Sequence, residues 1–280
     1  MTTGVNERLA VGGAGVRASA VAEVAGVEAE FADAVGCVAQ RSWVEAAGST
    51  RFEELSPVSA FPVVPGRRCG PGWWWSATTG GHVVHGSAAM RDRLMVLDRD
   101  PRVVGLAGRP VRLLWRDAVD GRTRSWVPQV FARYADGTAL LADCPSRAGA
   151  GGERALRAAA VVAAACDAVG WSYRRLGPLD AVLAANLRWL AGYRHPRYQG
   201  PPELRALLGR AFAAPRPLAE GAVSVGDPLR VLPALYHALW SGRLGADLGR
   251  PLHERVLVGP GGRGDARAGG RSGAAGLERG

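Results

Sequence analysis

Hydrophobic positions change period several times along the chain. From 18 to 47 (ASAVAEVAGVEAEFADAVGCVAQRSWVEAA) Ala, Val and Phe recur at helical spacing, which predicts a leading helix broken near Gly26 and Gly36. Pro57, Pro62, Pro65 and Pro71 then fix backbone angles that suit an extended connection. Over 84–98 (VHGSAAMRDRLMVLD) Met90, Leu94 and Leu97 share one helix face. Strands are predicted at 102–107 (RVVGLA) and 110–116 (PVRLLWR), turned by Gly108-Arg109-Pro110. Two more are predicted at 125–134 (SWVPQVFARY) and 138–143 (TALLAD), joined as a hairpin through Ala135-Asp136-Gly137. An Ala-rich helix at 152–169, a strand at 171–175 (WSYRR) and a helix at 180–192 follow. Helix, four strands, helix, strand and helix make an α/β unit: a mixed sheet with flanking helices.

After His195-Pro196 the pattern changes. Helices are predicted at 202–213 (PELRALLGRAFA) and 228–241 (PLRVLPALYHALWS), then a basic hairpin through 242–258. That is the outline of a smaller winged-helix-like C-terminal domain, a frequent carrier of DNA or protein contacts. The predicted organisation is an N-terminal extension over 1–50, partly helical, a first domain over 51–197, the second over 198–258, and a Gly/Arg tail over 259–280. The Gly-rich ends, 1–16 and 259–280, are expected to be disordered or loosely held, and the Arg-Gly-Asp at 263–265 reads as a chance triplet in such a tail.

Composition narrows the chemistry. With 280 residues and 48% hydrophobic content the chain is long enough to bury one large core or two small ones. All 35 basic residues are Arg. The absence of Lys excludes a phosphate-cradling G-x-x-x-x-G-K-[ST] loop, a Schiff-base Lys and a nuclease D-x-K or E-x-K element. The net charge of +10 is uneven: −3 over 1–50, +6 over 51–135 and +7 over the remainder. A basic body suits a duplex DNA partner, because Arg neutralises phosphate without regard to sequence. A solvated Arg-rich surface is the plainer reading. Cys37, Cys69, Cys144 and Cys166 have no zinc-ligand spacing and read as reduced, mostly buried thiols of a cytoplasmic chain. No stretch reaches the roughly 18 apolar residues of a membrane span, so no membrane partner is expected.

Three stretches together resemble one family. They are Gly72-Trp73-Trp74-Trp75-Ser76-Ala77-Thr78-Thr79-Gly80, the helix ending Leu94-Met95-Val96-Leu97-Asp98, and Asn186-Leu187-Arg188-Trp189-Leu190-Ala191-Gly192-Tyr193-Arg194-His195-Pro196. With Gly226-Asp227-Pro228 and Ala238-Leu239-Trp240, the chain from about Phe52 to about Val258 is similar to TnsA-like heteromeric transposase endonuclease subunits. The resemblance implies a restriction-endonuclease-like domain followed by a winged-helix-like one. It also implies cleavage at the 5′ ends of a mobile element by a Mg²⁺-bound water, beside a DDE-type transposase subunit and an AAA+ ATPase regulator.

Position by position, the site that the resemblance implies is degenerate. Its first Glu falls on Gly86, and a second, one turn later, on Met90. Its Pro-Asp becomes Pro128-Gln129, and its acid-spacer-base element becomes Asp143-Cys144-Pro145. Asp143 is the one carboxylate left, and no cation stands at Pro145. Mg²⁺ is held in such sites by carboxylates, so the chain is expected to hold no cofactor of its own. Because Glu is a better helix former than Gly, Gly86→Glu is expected to cost nothing locally.

The leading expectation is therefore an impaired TnsA-like subunit that still binds DNA ends and transposition partners, retained as a pseudonuclease or in genetic decay. Arg67, Arg68, Arg91, Arg93, Arg109, Arg112, Arg122 and Arg124 are the candidates for its DNA face. One alternative is an active Mg²⁺-dependent endonuclease in which Asp92, Asp98 or Asp120 completes the site; Asp92 and Asp98 read more simply as helix-surface and helix-end residues. The other is a scaffold for the ATPase regulator that does not touch DNA. His82 and His85 read as solvent-facing or core-satisfied, the Trp run as a sheet anchor, and Tyr193, Arg194 and His195 as a hinge.

Overall fold

Residues 28–42, expected to be helical, form two strands. The computed structural model describes residues 26–33, 35–63, 70–146 and 152–262. These fall into two compact units, divided between Leu179 and Asp180, earlier in the chain than the expected boundary after 197. Residues 18–25 of the expected leading helix, the Gly-rich N-terminus, Cys69, Arg67, Arg68 and the Arg-Gly-Asp triplet lie outside the described residues.

In the first unit, β1 (Glu28–Ala32) and β2 (Val38–Ser42) pair antiparallel, with Ala29 and Phe31 pointing inward at period two. Helix begins only at α1 (Trp43–Ser49), capped by the Ser42 hydroxyl. The Ala and Val content of 18–47 matches a helix as readily as a strand, and pairing with a distant strand decides between them. That distant strand is Arg112–Arg116, so this segment belongs to the first unit's sheet structure and is not an appendage to it.

A two-stranded ribbon, β3 (Gly72–Trp75) and β4 (His82–His85), precedes α2 (Ala88–Arg99), whose N-cap is Ser87. The helix expected from residue 84 thus starts later, because 82–85 pair as a strand. Next come β5 (Val103–Gly108), β6 (Arg112–Arg116), β7 (Thr123–Trp126), β8 (Val130–Tyr134) and β9 (Ala139–Asp143). The first two do not form a hairpin. Arg109, at φ 54°, sends the chain from one sheet to the other. The expected strand over 125–134 is broken at Val127-Pro128-Gln129, where Pro128 has no N–H for a ladder. The hairpin between β8 and β9 turns where expected, with Gly137 at φ 86°. Helix α3 (Gly152–Ala168) and β10 (Ser172–Arg175) complete the unit.

Two four-stranded sheets result. One has the order β2-β1-β6-β7 and is antiparallel throughout. The other is mixed, in the order β10-β9-β8-β5, with β9 and β10 parallel and the remaining pairs antiparallel. The predicted α/β class and mixed sheet are present, with more antiparallel pairing than the sequence suggested. The core joins strands of both sheets to one face of α3 (Ala158, Val161, Val162, Ala165 and Cys166). Phe52 sits at its aromatic centre, stacked on Trp43 at 6.1 Å and edge-on to Phe31 at 5.5 Å and Trp171 at 6.1 Å. Trp43 donates through Nε1 to the Ala165 carbonyl at 2.6 Å, fastening α1 to α3.

The second unit holds α4 (Ala181–Ala191), α5 (Pro202–Ala211), β11 (Arg216–Pro217), α6 (Leu218–Val225), α7 (Pro228–Trp240), β12 (Leu244–Ala246) and β13 (Leu257–Pro260). The strands form one antiparallel sheet, β11-β13-β12. Helix α6, with the short sequence LAEGAVSV, has no counterpart among the elements expected from the sequence. Asp227 and Pro228 start α7 as cap and first residue, and Leu235, Leu239 and Trp240 are buried along it. Asn186 on α4 donates to the carbonyls of Leu248 and Arg250 at 2.8 and 2.7 Å and accepts from the Leu252 amide at 3.1 Å. It thereby clamps the loop between β12 and β13. Tyr193, Arg194 and His195, expected as a hinge, lie within this unit: the Tyr193 carbonyl pairs with His237 Nδ1 at 2.9 Å.

Candidate functional site

The positions singled out by the resemblance fall at the ends of β8 and β9 (Gln129, Asp143, Pro145), on the turn before α2 (Gly86) and on α2 itself (Met90). Asp143 ends β9 and is buried. One of its oxygens accepts from the Trp126 indole at 2.7 Å and the Tyr173 hydroxyl at 2.6 Å, and the other from the Gln129 amide at 3.2 Å. Burial pushes its carboxyl above the usual range despite these three donors, which pull the other way with Arg175. Tyr173 is raised well above the ordinary phenol by burial and by Asp143. The Gln129 side-chain oxygen accepts from the Cys144 amide at 2.9 Å. Burial, aided by Asp143, pushes the Cys144 thiol up to about 12, so it is held neutral.

Mg²⁺ is held by hard oxygen ligands, usually one or two carboxylates together with waters and substrate phosphates. Here the single carboxylate spends both oxygens on protein donors, and the neutral Gln129 oxygen is also taken. Among the described residues no group of three or more His, Cys, Asp or Glu is arranged to hold a metal ion. The donor set does not fit the ion.

Gly86 gives the same answer from the other side of the site. It lies outside α2, before the Ser87 cap, and its amide meets the Met90 sulfur at 3.4 Å. A Cβ at this position would sit 2.1 Å from the Phe61 ring. The space a longer side chain needs is thus occupied by an aromatic ring, and the expectation that Gly86→Glu costs nothing locally is corrected. Met90 is fully buried on the inner face of α2. Pro145 is half-buried just beyond β9.

The other acids are committed to structure. Asp98, expected at a helix end in solvent, is buried. It accepts from Trp74 Nε1 at 3.0 Å, the Ser76 hydroxyl at 2.6 Å and the amides of Ala77 and Thr78 at 3.1 and 2.9 Å. The Trp run alternates as a strand should, with Trp74 buried through this bond and Trp73 exposed. Asp92 is also buried, correcting its reading as a surface residue, and lies 3.5 Å from Arg91. Asp120 pairs with Arg124 in the turn between β6 and β7.

Among the described residues, the arginines expected on a DNA face are engaged within the protein. Arg112 bonds Glu30 at 2.8 Å across the antiparallel sheet, and Arg124 bonds Asp117 at 3.3 Å as well as Asp120. Arg122 is largely exposed, 4.0 Å from Asp120. Arg93 donates to the carbonyls of Gly177 and Pro178, tying α2 to the segment after β10. Arg109 reaches the Ser59 hydroxyl at 2.7 Å and lies over the Phe61 ring at 4.7 Å. His82 is exposed, whereas His85 is buried with Nδ1 unpartnered among the described residues, so its expected satisfaction in the core is not found.

Sequence reasoning missed Trp126, Tyr173 and Phe61, the three side chains that define the site. Only Phe61 carried a local signal, as the one aromatic between Pro57 and Pro65. No family model matches the chain, and no curated protein matches it. No helix among the described residues is long and apolar enough to cross a membrane.

Proposed function

We propose that the chain is a TnsA-like subunit of a heteromeric transposase that has lost strand cleavage and acts by binding DNA ends and transposition partners. The observation that carries the loss of cleavage is the state of Asp143: buried, and serving Trp126, Tyr173 and the Gln129 amide in place of a metal ion. Phe61 against Gly86 supports it from the opposite side.

What supports the nuclease-fold part of this reading is the order of the mixed sheet. The order helix α2, antiparallel strands β5, β8 and β9, helix α3 and parallel strand β10 suits a restriction-endonuclease-like core. In the second unit, helix, short strand, two helices and two strands, α5 through β13, suit a winged-helix module. The net charge of +10 supports a polyanionic partner. A DDE-type transposase subunit and an AAA+ ATPase regulator are the proposed protein partners, and the cytoplasm the proposed compartment.

The test is supercoiled-plasmid nicking with Mg²⁺ or Mn²⁺, partner subunits present, by wild type and by Asp143→Ala. Neither is expected to nick. Metal-dependent nicking by wild type that Asp143→Ala abolishes overturns the reading in favour of an active endonuclease. The internal pairing of Arg112 and Arg124 favours a second reading, a scaffold for the ATPase that does not engage DNA. Duplex affinity falling with salt at a log–log slope of about −0.9 per phosphate contact supports the first reading, and a flat slope the second.

A further inference from the structure

We infer that His85, Arg91 and Arg109 form a binding site for a phosphate-type oxyanion at the turn where β4 meets α2. Buried polar atoms in native proteins are nearly always hydrogen-bonded, and an exception points to strain, a reaction or an ion. Among the described residues the buried side-chain nitrogen and oxygen atoms without a partner are His85 Nδ1, Arg91 Nε and Arg109 Nε. The three belong to one corner of the first unit.

His85 ends β4 and Arg91 lies in the first turns of α2, close enough for the guanidinium to oppose protonation of the imidazole. Arg109 arrives from the mixed sheet. Its neighbour Gly108 lies against Val84, where a Cβ would be 2.3 Å from the Val84 carbonyl oxygen. Phe61 then ties Arg109 to the same turn, its ring against Gly86 and under the Arg109 guanidinium.

Local acids do not supply the missing acceptors. Asp92 stands 3.5 Å from Arg91, at the edge of hydrogen-bond reach, and Asp143, the carboxylate whose field Arg109 feels, is already taken by three donors. Two guanidinium edges and an imidazole arriving from three segments suit a tetrahedral oxyanion, whose oxygens accept from several directions. The N-terminal end of α2, beside His85, favours the same charge. Arg109 holds a left-handed backbone at φ 54° just before Pro110, a conformation unusual outside glycine and kept here at the place where its side chain is aimed.

The ligand has two sources, a nucleic-acid backbone phosphodiester or free phosphate, and the site itself does not depend on the DNA reading. Calorimetric titration of the full chain with inorganic phosphate, at ionic strength held constant with chloride, is expected to give saturable binding. Arg91→Gln and Arg109→Gln should each weaken it by about tenfold, the loss of one charge-assisted hydrogen bond. Arg157→Gln, an exposed change on α3, should leave it unaltered. The His85 ring resonances of wild type should shift as phosphate is added, a readout that needs no variant to fold. No saturable binding, or binding indifferent to both Arg91→Gln and Arg109→Gln with His85 unmoved, overturns the site. Displacement of a labelled duplex by phosphate assigns it to backbone phosphodiester. Phosphate bound without displacement assigns it to free phosphate, and the site then stands even if the DNA reading falls.

Discussion

Asp143 and Tyr173, on neighbouring parallel strands, are joined by a 2.6 Å hydrogen bond in which the phenol donates to the carboxylate. The bond turns a position expected to serve a metal into part of the sheet's internal wiring. Tyr173→Phe is expected to destabilise the chain by about 1.5–3 kcal/mol, the range for a bond to a charged acceptor. Asp143→Ala should cost more, because the Trp126 indole and the Gln129 amide lose their acceptor as well. Equilibrium denaturation measures both, and a neutral Asp143→Ala would show that the carboxylate is not structural.

Asp98 gathers four donors, one from Trp74 within the Trp run and three from the segment that follows it, so it fixes β3 to the last turn of α2. Asp98→Ala is expected to cost about 2–4 kcal/mol, less than the sum of the separate bonds because neighbouring losses do not add. The near-ultraviolet circular dichroism of Trp74 should collapse with it. Asp98→Asn, which keeps one acceptor oxygen, should fall between the two.

Gly86→Glu cannot be accommodated while Phe61 stays in place. The single change is expected to destabilise by about 1–3 kcal/mol, the usual cost of overpacking. Combined with Phe61→Ala it should cost less than the two changes added together. Strict additivity in that double-mutant cycle would mean that the ring does not occupy the position of the missing carboxylate.

Two buried histidines contribute to the response to acid. Burial lowers the proton affinity of His85, with Arg91 adding to the effect, and burial lowers that of His237 although its bond to the Tyr193 carbonyl acts the other way. A folded-state value below the unfolded one, about 6.5, means that the stabilising contribution is complete above that pH and is lost as the pH falls below it. One histidine lies in each unit, so both units should melt at lower temperature at about pH 5 than at about pH 7.5. His237→Gln should flatten the dependence of the second unit alone.

Local rules made the α/β class, the Ala135-Asp136-Gly137 turn and the α7 start at Asp227-Pro228 legible. They misread 28–42 because alternation at Ala29 and Phe31 is too short to outweigh Ala and Val content, and only pairing with β6 resolves it. The hairpin expected through Arg109 failed for the same reason: β5 and β6 are neighbours in sequence but belong to different sheets. At the candidate site the departures from the resemblance, two carboxylates at Gly86 and Gln129 and a cation at Pro145, were legible. What replaced them was not, since Tyr173 and Trp126 meet Asp143 from 30 and 17 positions away.

Where the second unit begins determines which fragment folds. The apolar face of α7 predicts a separable module starting near residue 198, but such a fragment lacks α4 and with it Asn186. Without that side chain, the carbonyls of Leu248 and Arg250 and the amide of Leu252 lose their partners, and the loop that sets the β12–β13 register is released. It also lacks Tyr193, whose carbonyl engages the buried His237. A fragment spanning 180–262 is therefore expected to melt in one cooperative transition, and one spanning 198–262 to melt broadly or not at all. Asn186→Ala in the longer fragment isolates the clamp: it should lower stability by about 2–4 kcal/mol through lost bonds to buried backbone. Equal cooperativity in the two fragments would place the boundary after α4 and leave the clamp without a folding role.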